Sequence, residues 1–485
     1  MNYLGLDIGT SGCKAAVFKQ DGTCASSAYQ SYSIISPQSG WAELDSNEVI
    51  EKCFAVIRQA VKTASGEVKA MAISSQGEAF TPVGESGKFL GNAMISSDRR
   101  AEDLLKDWKK QFGADKLYRI TGHSSSAMFT LFKLIWLKEN QPDIWLKSKA
   151  FYCFEDLMHF RLGVPPAIGW PLAGRTMLFD INNHCWNKEI LNAIGLDKSK
   201  LARPLSSGSV AGIIPDNIAK ELGLPSGVKV VTGGHDQTIC ALGAGAFEVG
   251  TAMYATGTVE CICPVLSKKV LTPKLYKNNL CCYDYSLPNK YTTVAYCLTG
   301  GNILQWFKTN FAPQDSYDSV IEQIPNEPTD LLTLPYFTPS GTPYFDTVTK
   351  GIIMGLDLNT SRHKILKSLL EGVLLEMKLN LDLLAESGIE INKLIATGGG
   401  AKNAKWLQLK ADVLNIPIIK TNIAEAGCFG AAMLAFSADT GMSIKHNSDE
   451  QTIIPNPEKA KIYKNKFENY KKMYPIIKKL YQDFK

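Results

Sequence analysis

Histidine is scarce in this chain, with six in 485 residues. The 12 cysteines are scattered, hold no C-x-x-C, and come close together at Cys261-x-Cys263 and Cys281-Cys282. Zinc sites need paired, well-spaced ligands, so free thiols are a better reading than a structural zinc centre. Free thiols in a reducing, cytoplasmic compartment are expected. No apolar run approaches the length of a membrane span, and no basic segment leads into an apolar one near Met1. Neither a membrane helix nor a signal peptide is therefore expected. Arginine is absent from the lysine-rich stretch Glu458 to Lys485, where nine Lys and three acids give +6. The remaining residues carry a balance of −1. A body without excess positive charge cannot track a phosphate backbone, so no nucleic-acid partner is expected.

Against these absences stand 45% hydrophobic and 20% charged residues, the balance of a soluble chain of two ordinary domains. The organising stretch is Tyr3 to Phe18. An apolar run ends at Asp7, a turn Gly9-Thr10-Ser11-Gly12 follows, and a β-rich run leaves from Cys13. Bare N–H groups in a Gly-rich turn form a concave anion site, and Lys14 adds charge. Asp7 stands at its mouth, where a carboxylate can hold a metal's water shell. A strand from about Ala25 to Ile35, a helix capped by Asp45 or Ser46 and running to about Ala64, and a buried strand Val68 to Ser74 follow. Gln76-Gly77-Glu78 lies just beyond that strand, where α/β sheets bind ligands. Glu78 and Asp98 can accept hydrogen bonds from a polyhydroxylated ligand and Arg99 can donate. Solvated loop charges are the plainer reading of all three. Lys133, inside the apolar helix Met128 to Asn140, reads as a snorkelling side chain.

The strand Val228 to Thr232 runs through Gly233-Gly234 into His235-Asp236-Gln237 and a small-residue helix. An acid at a strand end, reached past two glycines, suits general-base work. Asp236 is preferred over His235 as that base, and helix capping is its structural alternative. Gly250 to Val265 then repeats the opening design, strand, Thr256-Gly257-Thr258, strand. Two such hairpins about 250 residues apart point to duplicated α/β domains clamping one phosphate chain. Leu394 to Thr397 runs into a third glycine site, Gly398-Gly399-Gly400-Ala401, ahead of a helix from about Asn403. Arg362 to Ser387 reads as a long core helix. Tyr463, Phe467, Tyr470, Tyr474, Ile477 and Tyr481 mark an amphipathic tail helix docked on the body with its lysines in water.

This ordered set resembles the FGGY family of carbohydrate kinases over nearly the whole chain. Asp7-Ile-Gly9-Thr10-Ser11-Gly12 looks like its first phosphate motif and Thr256-Gly257-Thr258 like its second. Gly398 to Ala401 with Asn403 looks like its adenosine motif, and Met128 to Asn140 like its internal signature. The resemblance implies two actin/hexokinase/Hsp70-like (RNase H-like) α/β domains with a cleft between them. The expected division is 1–247 for the sugar and base, 248–455 for the nucleotide, and 456–485 for the tail. It implies a kinase using ATP and Mg²⁺, with Asp236 as catalytic base and Asp7 at the metal. Gln76, Glu78, Asp98, Arg99, Asp236 and Gln237 would bind substrate. Thr10, Ser11, Lys14, Thr256, Gly257, Thr258, Gly301, Gln305, Gly399, Gly400, Ala401 and Asn403 would bind ATP. A homodimer is the expected assembly.

Substrate identity is left divided. Xylulokinases usually show Gln-Met-His, and glycerol kinases Gln-Arg-Glu, where this chain has Gln76-Gly77-Glu78. Asp98-Arg99-Arg100 and Asp236-Gln237 look glycerol-kinase-like, whereas Gly341-Thr-Pro and the signature helix look like xylulokinase relatives. A ketopentose such as xylulose is the expectation. Glycerol or a tetritol is the alternative, as is a non-catalytic ATP-binding regulator of the same fold.

Overall fold

The computed structural model describes residues 1–423, 425–443 and 450–483. Strands β1 (Asn2–Ile8), β2 (Gly12–Lys19) and β3 (Cys24–Ser31) form an antiparallel meander. Helix α1 (Ser46–Thr63) crosses back to β4 (Val68–Ser75), which runs parallel to β1. Asp45 caps α1 by accepting from the Asn47 N–H, and Val49, Cys53, Val56, Ile57 and Ala60 are buried along it. After α2 (Thr130–Asn140), β5 (Val210–Ile213) and β6 (Lys229–His235) complete a sheet of order β5-β6-β4-β1-β2-β3. Helix α3 (Asp236–Ala244) leaves directly from the end of β6.

The second half repeats the plan. β7 (Thr251–Thr256), β8 (Glu260–Pro264), β9 (Ala295–Cys297), β10 (Lys393–Thr397), β11 (Ile418–Lys420) and β12 (Gln451–Ile453) form a sheet of order β9-β8-β7-β10-β11-β12. Read from β3 and from β9, both sheets show the same pairings: antiparallel, antiparallel, parallel, parallel, antiparallel. This is the duplicated RNase H-like α/β topology. Helices α4 (Gly301–Phe311), α5 (Arg362–Ala385) and α6 (Ala404–Leu414) belong to the second half, α5 and α6 lying in its core.

The two halves are interlocked through α3 and α7 (Ala426–Thr440). Phe429, Ala432 and Phe436 of α7 pack on Tyr3, Ala16 and Phe18 of the first sheet. Ala241 and Ala244 of α3 pack on Met253, Cys261 and Cys263 of the second. Where the helices cross, a Cβ on Gly243 would lie 1.9 Å from the Ala426 carbonyl oxygen, and one on Gly430 2.1 Å from that of Ile239. Backbone contact at this crossing requires glycine on both helices. A cut near residue 247 therefore divides the sheets but leaves α7 in the core of the first half.

Several local expectations change. The third strand stops at Ser31, because its register ends opposite Gly12, where β2 begins; Ile35 makes an isolated bridge to Glu43. Lys133 does not snorkel. It is fully buried and donates to the carbonyls of Met94 and Ile95 at 3.0 and 3.1 Å. The tail is one helix, α8 (Pro457–Asp483), with Pro475 inside it. Its docking uses phenols: Tyr463 donates to Glu371 at 2.8 Å, Tyr470 to Glu376, and Tyr474 to Asp346 at 2.8 Å. Lys466 of α8 is not in water, but bonds Glu371 and the Thr329 carbonyl. The last two tail residues, 484 and 485, lie outside the described residues.

Candidate active site

β1, β4 and β6 lie side by side in parallel and deliver Asp7, Gln76-Gly77-Glu78 and His235-Asp236 to the same edge of the first sheet. Asp236 is the first residue of α3, one past the N-cap position, which His235 occupies without a side-chain capping bond. Its carboxylate is 28% exposed. Burial, with the Asp7 and Glu78 carboxylates, pushes its pKa up to about 7. That is the range in which a carboxylate serves as general base at neutral pH. Two side chains converge on Oδ1: His235 Nε2 at 3.2 Å and Gln237 Nε2 at 3.3 Å.

His235 is buried, and its Nδ1 lies 2.9 Å from the Tyr283 hydroxyl. Burial and the nearby Arg175 guanidinium hold it well below the usual histidine pKa. A ring whose Nδ1 bonds Tyr283 and whose basicity is suppressed by burial and Arg175 is a poor proton acceptor, which favours Asp236 over it.

Gly77 makes room for this arrangement. A Cβ there would meet His235 Cδ2 and Nε2 at 3.1 Å and Arg175 Cγ at 3.5 Å. Arg175, buried, crosses this space and binds Glu78, with Nε to Oε1 at 2.5 Å. The guanidinium also lies over the Phe129 and Tyr283 rings, at 5.0 and 5.6 Å. Glu78 adopts φ of 65° and holds Thr130 of α2 through its carbonyl. Burial beside Arg175 and His235 also depresses His123, which sits between Phe129 and Tyr283.

Asp98 and Arg99 are placed differently. Both Asp98 oxygens are taken within the protein, by Arg100 and by the Ala42 N–H. Arg100 is in turn stacked between Trp41 and Trp136, at 3.7 and 4.9 Å. Arg99 forms a surface pair with Glu102. The structure thus brings Gln76, Glu78, Asp236 and Gln237 to one sheet edge, and engages Asp98 and Arg99 elsewhere.

In the first turn the Gly9 N–H donates to the Gly12 carbonyl, and Gln76 Nε2 to the Gly9 carbonyl at 2.9 Å. Thr10 lies 3.4 Å from Gln76 Oε1, Ser11 is exposed, and Lys14 pairs with Glu425 at 2.6 Å. Asp7 accepts from Ser74 Oγ at 2.6 Å through Oδ1, and burial raises its pKa. A Cβ on Gly427 would come within 2.8 Å of Asp7 Oδ2, so glycine at the start of α7 leaves that oxygen clear. Among the described residues no cluster of three or more His, Cys, Asp or Glu could hold a metal unaided. A lone carboxylate fits Mg²⁺, which keeps its waters and binds chiefly through phosphate oxygens.

In the second turn Gly257 and Thr258 are exposed, while Thr256 is buried and accepts from Lys410 Nζ at 2.6 Å. Gly301 opens α4 by donating to the Gly257 carbonyl at 2.8 Å, with Gln305 exposed one turn later. At the third, Gly398 has φ of 80°, Gly399 faces open space, Gly400 abuts Thr256, and Ala401 closes a short 3₁₀ turn. Asn403 caps α6 through the Trp406 N–H. Cys240, one turn below Asp236 on α3, faces Thr397 at the start of this loop. One helical turn, roughly 6 Å, therefore separates Asp236 from the residue that faces the second half.

Arg175, Tyr283, Lys410 and His123 escaped the sequence reading. Arg175 and Lys410 share one readable signal, a lone cation within an otherwise apolar segment. Tyr283 and His123 had none.

A carboxylate with a raised pKa beside paired glycine turns from two sheets of the same topology is the arrangement of a two-lobed phosphotransferase. Sequence models of the FGGY family of carbohydrate kinases match residues 2–243 with the N-terminal domain and 252–438 with the C-terminal domain. Xylulose kinase from Bacillus subtilis (strain 168) is 27% identical over 493 residues, covering 99% of this chain and 98% of the relative. Glycerol kinase from Methylibium petroleiphilum is 28% identical, covering 90% of each. The solved ligand-bound xylulose kinase from Lactobacillus acidophilus superposes with a TM-score of 0.92 at 22% identity, over 100% of both chains. The chain belongs to the FGGY family of carbohydrate kinases. It is an ATP-dependent sugar kinase.

Proposed function

We propose that the chain phosphorylates a ketopentose, with xylulose as the substrate to test first. Asp236 carries the reading: a carboxylate with pKa about 7, one helical turn from the residue that faces the nucleotide half. As the sugar oxygen bonds to the γ-phosphorus, the bond from that phosphorus to the ADP oxygen breaks. The hydroxyl proton passes to Asp236. Phosphoryl transfer of this kind demands alignment and charge neutralisation rather than covalent help. Gln76, Gln237 and the Glu78–Arg175 pair form the sugar floor. That pair is internally neutral, which suits an uncharged sugar over a sugar acid.

Thr10, Ser11, Lys14, Thr256, Gly257 and Thr258 hold the phosphates. Gly301, Gln305, Gly399, Gly400, Ala401 and Asn403 frame the nucleoside. Asp7 would hold Mg²⁺, which would supply charge neutralisation when bound. The arginine over Gly77 gives glycerol or a tetritol its support as second substrate, because it restores an Arg–Glu pair next to Gln76.

Twelve free thiols suit a reducing cytoplasm. Among the described residues no helix is long and apolar enough to cross a membrane. The homodimer is proposed at strand Ile352–Met354, which pairs with Leu332–Leu334 on one edge alone among the described residues. Met354 and Leu356 beside it are more than half exposed. An apolar open edge is a template for strand pairing, and a second copy offers the matching edge. Light scattering at the monomer mass would remove this assembly.

A panel of pentuloses, polyols and hexoses with ATP, Mg²⁺ and coupled ADP detection tests the activity. Turnover is expected on a ketopentose, lost in Asp236→Ala with ATP binding retained. No turnover above background on any member of the panel would end the proposal.

A further inference from the structure

The strand that ends at Asp236 is irregular just before it. Its register with β4 pairs Val231 with Ala72 and next Gly234 with Ser74, so β6 holds one residue more than β4 between those pairings. An extra residue bends a strand, leaves its own backbone outside the ladder, and sends each later side chain to the opposite face. This bulge therefore decides the face on which His235 and Asp236 stand. Gly233 lies inside it. A Cβ on Gly233 would lie 1.9 Å from the Ile73 carbonyl oxygen, so its backbone is pressed against β4.

The Gly233 N–H donates to Oε1 of Glu155 at 2.8 Å. Oε2 of the same side chain accepts from the Gly169 N–H at 2.9 Å. Glu155 stands on the helix Phe154–Arg161, and Gly169 ends the short strand Ala167–Gly169. The two glycine backbones also meet, since a Cβ on Gly169 would come within 2.6 Å of the Gly233 carbonyl oxygen. Burial pushes the Glu155 pKa up to about 8 against the pull of both N–H groups. Each oxygen keeps an acceptor lone pair whether or not the proton is present. Glu155 is fully buried and so meets no substrate.

We propose that Glu155 is a positioning residue of the base. By accepting the N–H inside the bulge and tying it to Gly169, it fixes the strand end from which Asp236 reaches the sugar hydroxyl. The inference rests on Asp236 being that base.

The test compares Glu155→Met, which fills the space without an acceptor, with Glu155→Gln, whose amide oxygen can still take one N–H. Asp236→Asn is the reference. Each is read by thermal melting, by hydrogen exchange at the Gly233 amide, and by kcat and KM with ATP, Mg²⁺ and xylulose (or the panel sugar that the wild type prefers). A shift of about 1 Å in a reacting group costs about 100-fold, so kcat should fall by about that factor in Glu155→Met, with KM for ATP unchanged. Exchange at Gly233 should quicken, while exchange over Gly250 to Val265 in the second sheet holds. Glu155→Gln should recover part of the kcat and slow the exchange again. If Glu155→Met does not melt like wild type, Glu155→Asp, whose shorter side chain falls short of both N–H groups, takes its place. Faster exchange at Gly233 with wild-type kcat overturns the positioning role alone. So does exchange that stays at the wild-type rate, or a kcat loss matched by a rise in both KM values, the mark of general loosening. Turnover retained in Asp236→Asn overturns the base itself, and the positioning role with it.

Discussion

Lys410 offers the sharpest test of how the second phosphate turn is held. Its ammonium is fully buried, 2.8 Å from Glu260 and 2.6 Å from Thr256 Oγ1, over the faces of Tyr254 and Trp406. Tyr254 donates to the other Glu260 oxygen. Lys410→Met removes the cation and strands a carboxylate whose side chain is 1% exposed. Breaking a buried pair from one side costs about 3–5 kcal/mol. At about 2–4 °C per kcal/mol for a domain near 200 residues, the melting temperature should fall by about 6–20 °C. Replacing both partners, Lys410→Met with Glu260→Gln, should recover most of that loss, since no charge is then left buried without its partner. Thermal melts of the wild type, Lys410→Met, Glu260→Gln and the double variant give the coupling. Thr256 also loses its anchor, so KM for ATP should rise in Lys410→Met while KM for sugar holds. A single variant that melts within about 2 °C of wild type would refute the reasoning. So would a double variant that melts no higher than the single.

Gly77→Ala should raise the sugar KM several-fold and leave the ATP KM unchanged, because the new methyl meets His235 at 3.1 Å; steady-state kinetics with each substrate varied distinguishes the two. The base must be ionised to act, so kcat/KM should fall about tenfold per pH unit below about 7 and level off above it. Glu78→Gln removes a neighbouring negative charge and frees Arg175, and both changes should move that limb to lower pH; an upward shift would contradict the assigned neighbours. Asp7→Asn should cost about 100-fold in kcat and demand more Mg²⁺, measured by metal titration at saturating ATP.

What could be read without coordinates was whatever local chemistry encodes. Glycine turns between apolar runs gave both hairpins, and Asp236 stood out because a strand, two glycines and a helix start are all local signals. What was hidden was produced by distance in sequence. Arg175 reaches Glu78 across 97 positions and Tyr283 reaches His235 across 48, and no periodicity carries such pairs. Asp98-Arg99-Arg100 misled because adjacency was read as shared purpose. The arginine that engages Asp98 is Arg100, while Arg99 turns to solvent and Glu102. Lys133 misled for another reason. A cation on an apolar helix is ordinarily exposed at its tip, but two carbonyls at the end of a short strand gave this one enough donors' partners to stay inside.

The interlocked helices give these separate contacts one mechanical meaning. α3 begins with Asp236, faces Thr397 through Cys240, and ends in backbone contact with α7. α7 in turn lies on β1, whose end carries Asp7, and Gly427 at its start clears that carboxylate. Asp236 and Asp7 are thus each attached to a helix crossing the same glycine pair. Any rotation of one half on the other must pass through that crossing, where a single methyl would collide with a carbonyl at about 2 Å. Gly243→Ala should therefore impair both halves of the reaction together, lowering kcat and weakening sugar and ATP binding in parallel. Isothermal titration of each substrate checks it, and loss of sugar binding with ATP binding intact would show that the crossing serves the first half alone.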